Sequence, residues 1–190
     1  MYPKIIVQPN YFPAWWCDNI NNYMMQNVAA SSDLGKKGVR RCDVRGLVPG
    51  MKPYKDVFNS LMGFAKNNIN HLDVDIDYQI DGPCIQHITY MPGHGVGWHE
   101  DTMVTSAALK LERYKDLKID RKVSLTVMLS SQDEYTGGEF IFEKGGDRKH
   151  NVEGKGTVAM FTSHTEHMVT EITSGVRNIL FVFITGPSWR

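Results

Sequence analysis

The feature that most restricts the fold is a change of hydrophobic period. Before residue 72 apolar side chains recur at helical spacing, and beyond it they alternate every second residue. After Pro13, tolerated in a first helical turn, Trp16, Ile20, Tyr23, Met24 and Val28 predict a helix over 14–29. Val57, Leu61, Phe64 and Ala65 predict a second, from near 53 and fading around 67–70. Ile5, Ile6 and Val7 suggest a first strand, and RRCDVRGLVPG, after the turn-like SSDLGKKG, another ending at Gly46 or Pro49. Then LDVDID, PCIQHITYM, KVSLTVMLSS, GGEFIFEK, GTVAMFTS and VRNILFVFITG read as β-rich runs divided by glycine or polar turns. No helix separates successive strands after about Tyr114, so a sandwich or barrel is expected rather than a parallel α/β sheet. The expected class is α+β, mainly β, with two N-terminal helices buttressing one outer face.

Length and composition agree with one domain over 1–190, in which 1–80 support a core over 81–190. At 190 residues, 42% hydrophobic, the chain can bury a substantial core. Acidic and basic residues number 21 each, which removes the broad electrostatic pull of a nucleic-acid binder. Three scattered cysteines (Cys17, Cys42, Cys84) form neither a disulfide framework nor a thiolate zinc pattern. The N-terminus shows no signal-peptide pattern and no run approaches 18 apolar residues, so a cytoplasmic protein without a membrane span is expected.

The stretch GHGVGWHEDT carries the chemistry. On a strand, His99 and Asp101 emerge on one face and Trp98 and Glu100 on the other. That parity suits a two-ligand metal clip, which a second imidazole would complete as the two-histidine, one-carboxylate face of a non-haem Fe(II) site. The motif is short, and a second His-x-Asp, His71-Leu72-Asp73, leads into LDVDID, where Val74 and Ile76 would face the core and the aspartates solvent. The His99 copy follows glycines that let backbone turn tightly near a ligand. For the third ligand His164 and His167 compete, and the local pattern does not choose. Beyond the turn signal Thr173-Ser174-Gly175, Arg177 can return on the strand beside the one carrying the histidine, as a fixed cationic fork for a dicarboxylic cosubstrate. The plainer alternative is a surface salt bridge from Arg177 to Glu171 or Glu166.

These segments together resemble the iron- and 2-oxoglutarate-dependent dioxygenases, in particular the prolyl 4-hydroxylase-like group, over residues 86 to 189. Tyr90-Met91-Pro92-Gly93 through His99-Glu100-Asp101 is similar to that group's Tyr-x-x-Gly approach to His-x-Asp. Val123 to Ser130 with Gly137-Gly138-Glu139-Phe140 resembles its central strand and Gly-Gly-Glu turn, and His167 through Arg177 its distal histidine, turn and arginine. The resemblance implies a double-stranded β-helix (jelly-roll) and iron held by His99, Asp101 and His167. It also implies that Arg177 pairs with the far carboxylate of 2-oxoglutarate, with Tyr90 adding a hydroxyl there. Fe(II), 2-oxoglutarate and O2, with ascorbate as reductant, are the implied cofactors. The implied reaction hydroxylates a C–H bond, of a prolyl residue in a peptide or protein, with release of succinate and CO2. Two departures stand out: Met128 replaces a tyrosine frequent near the end of the central strand, and Thr170-Glu171-Ile172 stands where a proline is common.

Other residues carry less. Trp98 reads as a packing residue, Glu139 as a hairpin stabiliser, and His94 between glycines as an exposed imidazole. Lys36, Lys37, Arg40, Arg41 and Arg45 read as a solvated edge, with Arg40 or Arg41 the candidates to touch substrate. Rival functions are an oxygenase acting on a free amino acid or other small molecule, a non-catalytic jelly-roll binding module, a zinc hydrolase, which would have no need of Arg177, and a nucleic-acid demethylase, which would need a more basic surface.

Overall fold

Strand β1 (Ile5–Gln8) precedes helix α1 (Ala14–Asn27), after which β2 (Ser31–Asp33) and β3 (Arg40–Leu47) lead to helix α2 (Tyr54–Asn68). The computed structural model describes residues 4–33, 40–77, 85–102, 119–142, 148–149 and 152–187. Helix α1 starts at the Pro13 cap and ends two residues short of the expected 29, because Val28 is already extended (φ −126°). Cys17, Ile20 and Met24 form its buried stripe. In α2 the four expected residues are buried together with Met62, and the fading end is a 3-10 turn, Ile69–His71.

The remaining strands are β4 (Ile85–Tyr90), β5 (Gly95–His99), β6 (Ile119–Met128), β7 (Tyr135–Gly137), β8 (Phe140–Phe142), β9 (Arg148–Lys149), β10 (Val158–Thr162), β11 (His167–Val169), β12 (Ile172–Gly175) and β13 (Arg177–Pro187). One ladder follows the order β1-β10-β6-β13-β4-β3, with β2 on β3, and a second runs β5-β11-β8-β9. Strand β3 joins them: Asp43 to Leu47 pair with β4, whereas Arg40 and Arg41 pair with β5. All the pairings are antiparallel and the sheet curls on itself, giving the double-stranded β-helix with two helices.

Period-two alternation divides the interior. From β6, β10 and β13, Val123, Leu125, Val127, Val158, Met160, Leu180 and Val182 pack with the helix stripes in one core. Their neighbours Met128, Ala159, Phe161, Ile179, Phe181 and Phe183 point into the roll, in a second core. The helices therefore cover one outer face and leave the interior of the roll for the site.

The expected strand over LDVDID is absent among the described residues. Asp73 takes a positive φ (62°), which turns the chain, and Val74–Asp77 runs irregularly. Hydrogen bonds tie it to the sheet at Asp77, whose N–H donates to the Thr185 carbonyl at 3.0 Å and whose Oδ1 accepts the Thr185 hydroxyl at 2.8 Å. Val74 and Ile76 still pack on the helix-side core. No described helix is long and apolar enough to cross a membrane.

Candidate metal centre

His99 is the last residue of β5 and His167 the first of β11, and the two are directly paired in the antiparallel register. Asp101 lies two residues past His99, its N–H anchored on the Ser163 carbonyl at 2.9 Å. His99 Nε2 is 3.4 Å from Asp101 Oδ1, His167 Nε2 is 3.5 Å from Oδ2, and the donor atoms of all three lie within 4.8 Å of one another. Adjacent ligands bound at about 2.1 Å to one ion stand about 3 Å apart, so this spacing is within reach of a single cation. Among the described residues it is the one such cluster.

The hydrogen bonding behind the cluster fits a metal. His99 Nδ1 is 2.8 Å from the Gly97 carbonyl and His167 Nδ1 2.8 Å from the Thr165 carbonyl. A carbonyl only accepts, so each Nδ1 carries a proton and each Nε2 faces inward, where a metal would take its lone pair. The Ser124 hydroxyl donates to Asp101 Oδ2 at 2.6 Å and fixes the carboxylate. Burial pushes the Asp101 carboxyl up, but His99, His167 and Ser124 outweigh it and hold it below its ordinary value. Burial lowers His167, against the pull of Asp101, and so keeps it neutral. At His99 burial is overcome by the hydrogen bond and charge of Asp101, and the group is raised. Phe140 stacks on the His167 ring at 5.5 Å and Phe161 meets it edge-on at 4.8 Å, which dries and orients the imidazole. Two imidazole nitrogens and one carboxylate are a donor set that suits Fe(II).

Arg177, the first residue of β13, is wholly buried. Its Nη2 donates to Met128 Sδ at 3.5 Å, while Nε and Nη1 have no partner. The plainer alternative, a surface salt bridge to Glu171 or Glu166, is not made among the described residues. Nor does Arg177 return beside β11: β12 turns onto β7, and β13 then pairs with β4 and β6, placing Arg177 opposite Tyr90. Between β11 and β13 the chain passes from the β5-β11-β8-β9 ladder to the other one, so the arginine enters from the wall facing the histidines. Its guanidinium carbon sits 5.3 Å from the Tyr90 ring centroid. Burial pushes the Tyr90 phenol up to about 12, with Arg177 opposing.

A cavity of about 340 Å³ opens over the cluster. His99, Asp101 and His167 lie along it, Tyr90, Phe140, Ile179 and Phe181 give it apolar walls, and Arg40, Gln86, Glu100 and Arg121 add polar groups. Arg177 does not line the open surface of this cavity; its guanidinium lies over the ring of Tyr90, which does.

Residues 85–185, more than half of the sequence, match the family model of the 2OG-Fe(II) oxygenase superfamily. The chain belongs to that superfamily. Membership implies Fe(II), 2-oxoglutarate and O2 at the centre. Over 120 residues this superfamily member is 27% identical to a PKHD-type hydroxylase of Alteromonas mediterranea, a match covering 63% of the chain and 50% of that protein. The chain thus spans about half the length of this relative. Its fold is similar to that of a prolyl-4-hydroxylase of Pseudomonas putida (TM-score 0.65, 18% identity, 96% of this chain and 92% of that one). It is also similar to the viral collagen prolyl hydroxylase of Paramecium Bursaria Chlorella virus-1 in its 2OG complex (TM-score 0.68, 20% identity, 96% of each chain).

Within the 2OG-Fe(II) oxygenase fold the other candidates separate. His164 is half exposed, near Glu100 at 3.7 Å, and outside the cluster. His71 ends the 3-10 turn and Asp73 is exposed, paired with Lys4 at 3.5 Å. Arg40 lines the cavity, whereas Arg41 faces a separate groove and Arg45 donates to Val28 O and Thr89 Oγ1. Trp98 is partly buried and does not line the cavity. His94 is partly buried rather than exposed, because its backbone is clamped by Met91 and Ile172. Lys36, Lys37 and Cys84 lie outside the described residues. Sequence reasoning missed Ser124, Phe161, Arg121 and Tyr135. A lone serine on the same parity as Met128 in β6 was the available signal for the first.

Proposed function

We propose that the chain is an Fe(II)- and 2-oxoglutarate-dependent oxygenase that hydroxylates a C–H bond of a prolyl residue in a peptide or protein, releasing succinate and CO2. The observation that carries this reading is the pairing of an inward-facing His99–Asp101–His167 donor set with a buried Arg177 whose Nε and Nη1 lack hydrogen-bond partners. Residues 1–80 act as support and 81–190 as the catalytic unit. Ascorbate serves as the reductant that restores Fe(II), and a reducing cytoplasm suits the free thiols of Cys17 and Cys42.

When bound, iron with 2-oxoglutarate and O2 supplies the oxidising power needed to break an unactivated C–H bond. The protein's part is position and dryness. His99 and His167 hold the ion through Nε2 and Asp101 through its carboxylate, which Ser124 keeps aimed. Arg177 grips the far carboxylate of the cosubstrate, with Tyr90 beside it, in a site where little water competes. The apolar walls receive an aliphatic ring, and Arg40, Gln86 and Arg121 offer donors to the peptide that carries it. The collagen prolyl hydroxylase and prolyl-4-hydroxylase among its structural neighbours support a peptide or protein substrate.

The test is succinate formation by anaerobically purified, Fe(II)-loaded protein given 2-oxoglutarate and O2, with and without a proline-rich peptide. Stimulation by peptide, with one oxygen added to proline by mass spectrometry, supports the reading. Turnover that ignores the peptide would move the substrate to a free amino acid or other small molecule. Absence of turnover with iron bound would make the chain a binding module.

A further inference from the structure

Beside Arg177 lies a group that the site described so far does not use. The Tyr135 hydroxyl is buried, with the Arg177 guanidinium beside it but no hydrogen bond of good geometry formed. Tyr135 heads β7, opposite Gly175 in the β7–β12 pair, two residues before Arg177. A Cβ at Gly175, whose φ is 75°, would collide with the Glu134 carbonyl and with Tyr135 Cα, so this glycine is what allows the turn to press against Tyr135. Gly138 does the same from the other side. A Cβ there would lie 3.2 Å from Arg177 Cδ and 3.5 Å from Tyr135 Cε2, so the two side chains share one small space.

That space is rich in donors, and its only acceptors among the described residues are neutral: the Met128 thioether and the phenol oxygen itself, which lies beside the Arg177 guanidinium. Arg177 Nε and Nη1 and the Tyr135 hydroxyl are all unsatisfied, and the nearest acceptor in use is the weak thioether of Met128. Among the described residues no carboxylate pairs with Arg177. Buried polar groups left in this state await a partner, and three donors around one cation call for an anion with several lone pairs. Burial raises the Tyr135 phenol while Arg177 pulls it down, so it stays protonated and donates near neutral pH. Met128 has no proton to give.

We propose that the Tyr135 hydroxyl is a second donor to the far carboxylate of 2-oxoglutarate, beside Arg177. The assignment rests on the oxygenase reading above and adds a binding residue to it. The phenol does for the carboxylate what no side chain on the neighbouring β6 position, Met128, is able to do.

Calorimetric titration of Mn(II)-loaded protein in the absence of oxygen tests it, with 2-oxoglutarate and, in parallel, 2-oxobutanoate, which keeps the 2-oxo acid end and lacks the far carboxylate. Tyr135→Phe is expected to weaken 2-oxoglutarate about tenfold or more and to leave 2-oxobutanoate unchanged. Without ligand, the variant should melt at or above the wild-type temperature, since the hydroxyl has no internal bond to lose; a hydroxyl with a structural role would lower it. Undiminished affinity for 2-oxoglutarate, or equal losses for both ligands, overturns the assignment. Wild-type protein that takes up Mn(II) and binds neither ligand overturns the oxygenase reading, and the role of Tyr135 with it.

Discussion

His99 and His167 face each other across the β5–β11 ladder, their ring centroids 4.2 Å apart and both Nε2 atoms turned to the carboxylate of Asp101. The strand pairing itself therefore makes the cluster, and a bulge between His167 and Val169 adjusts the second imidazole.

The first expectation concerns Ser124, whose hydroxyl donates to Asp101. Ser124→Ala should lower Fe(II) or Mn(II) affinity about 10–100-fold, because the freed carboxylate loses its orientation. His167→Ala should remove tight binding altogether. Calorimetry with Mn(II) on both variants checks the order of the two effects.

Arg177 is a buried charge kept without a counter-ion. Arg177→Met should raise the stability of the ligand-free protein by about 1–4 kcal/mol, by analogy with buried ionic groups replaced by apolar ones. It should also abolish measurable 2-oxoglutarate binding. Urea unfolding and a titration on one preparation read both outcomes; a loss of stability would show that the guanidinium holds the fold rather than a ligand.

His87 gives stability a pH dependence. It is fully buried on the helix side of β4, Nε2 2.8 Å from Asn21 Oδ1, and burial, helped by the Arg45 charge, lowers it from 6.5 to about 4. Above pH 6.5 both the folded and the unfolded histidine are neutral and the group contributes no slope. As pH falls from 6.5 to about 4, the unfolded chain takes up a proton that the folded chain refuses, so stability falls, by on the order of 3 kcal/mol over the window. His87→Asn should flatten that part of a stability–pH curve measured by urea unfolding.

Gly175 should tolerate no side chain. Its φ of 75° and the collision of a Cβ with the Glu134 carbonyl predict that Gly175→Ala costs at least about 1–3 kcal/mol and displaces the turn that delivers Arg177. A lower melting temperature together with weaker 2-oxoglutarate binding is the expected result. Gly50→Ala, at a positive φ with open space around it, isolates the conformational part.

Much of this was legible in the chain because it depends on local period. Helical spacing at Ile20 and Met24, and alternation along β6, β10 and β13, follow from backbone geometry alone, and so does the division into a helix-side core and an interior one. The parity of His99 and Asp101 is of the same kind. LDVDID shows the limit: its alternation put Val74 and Ile76 inward as expected, yet Asp73 turned the chain and no strand formed among the described residues.

What the sequence could not decide is what depends on pairing between distant strands. His164 and His167 share one local pattern, and only the register of β11 against β5 sends one to Asp101 and leaves the other half exposed. Arg177 reaches the site from β13, across the roll, because β12 pairs with β7 and the chain changes walls. Ser124 and Tyr135 gain their neighbours in the same way. Hydrophobic period fixes which face a side chain takes, but a register between strands far apart in sequence is set by the whole sheet closing on itself, and no short window of residues contains it.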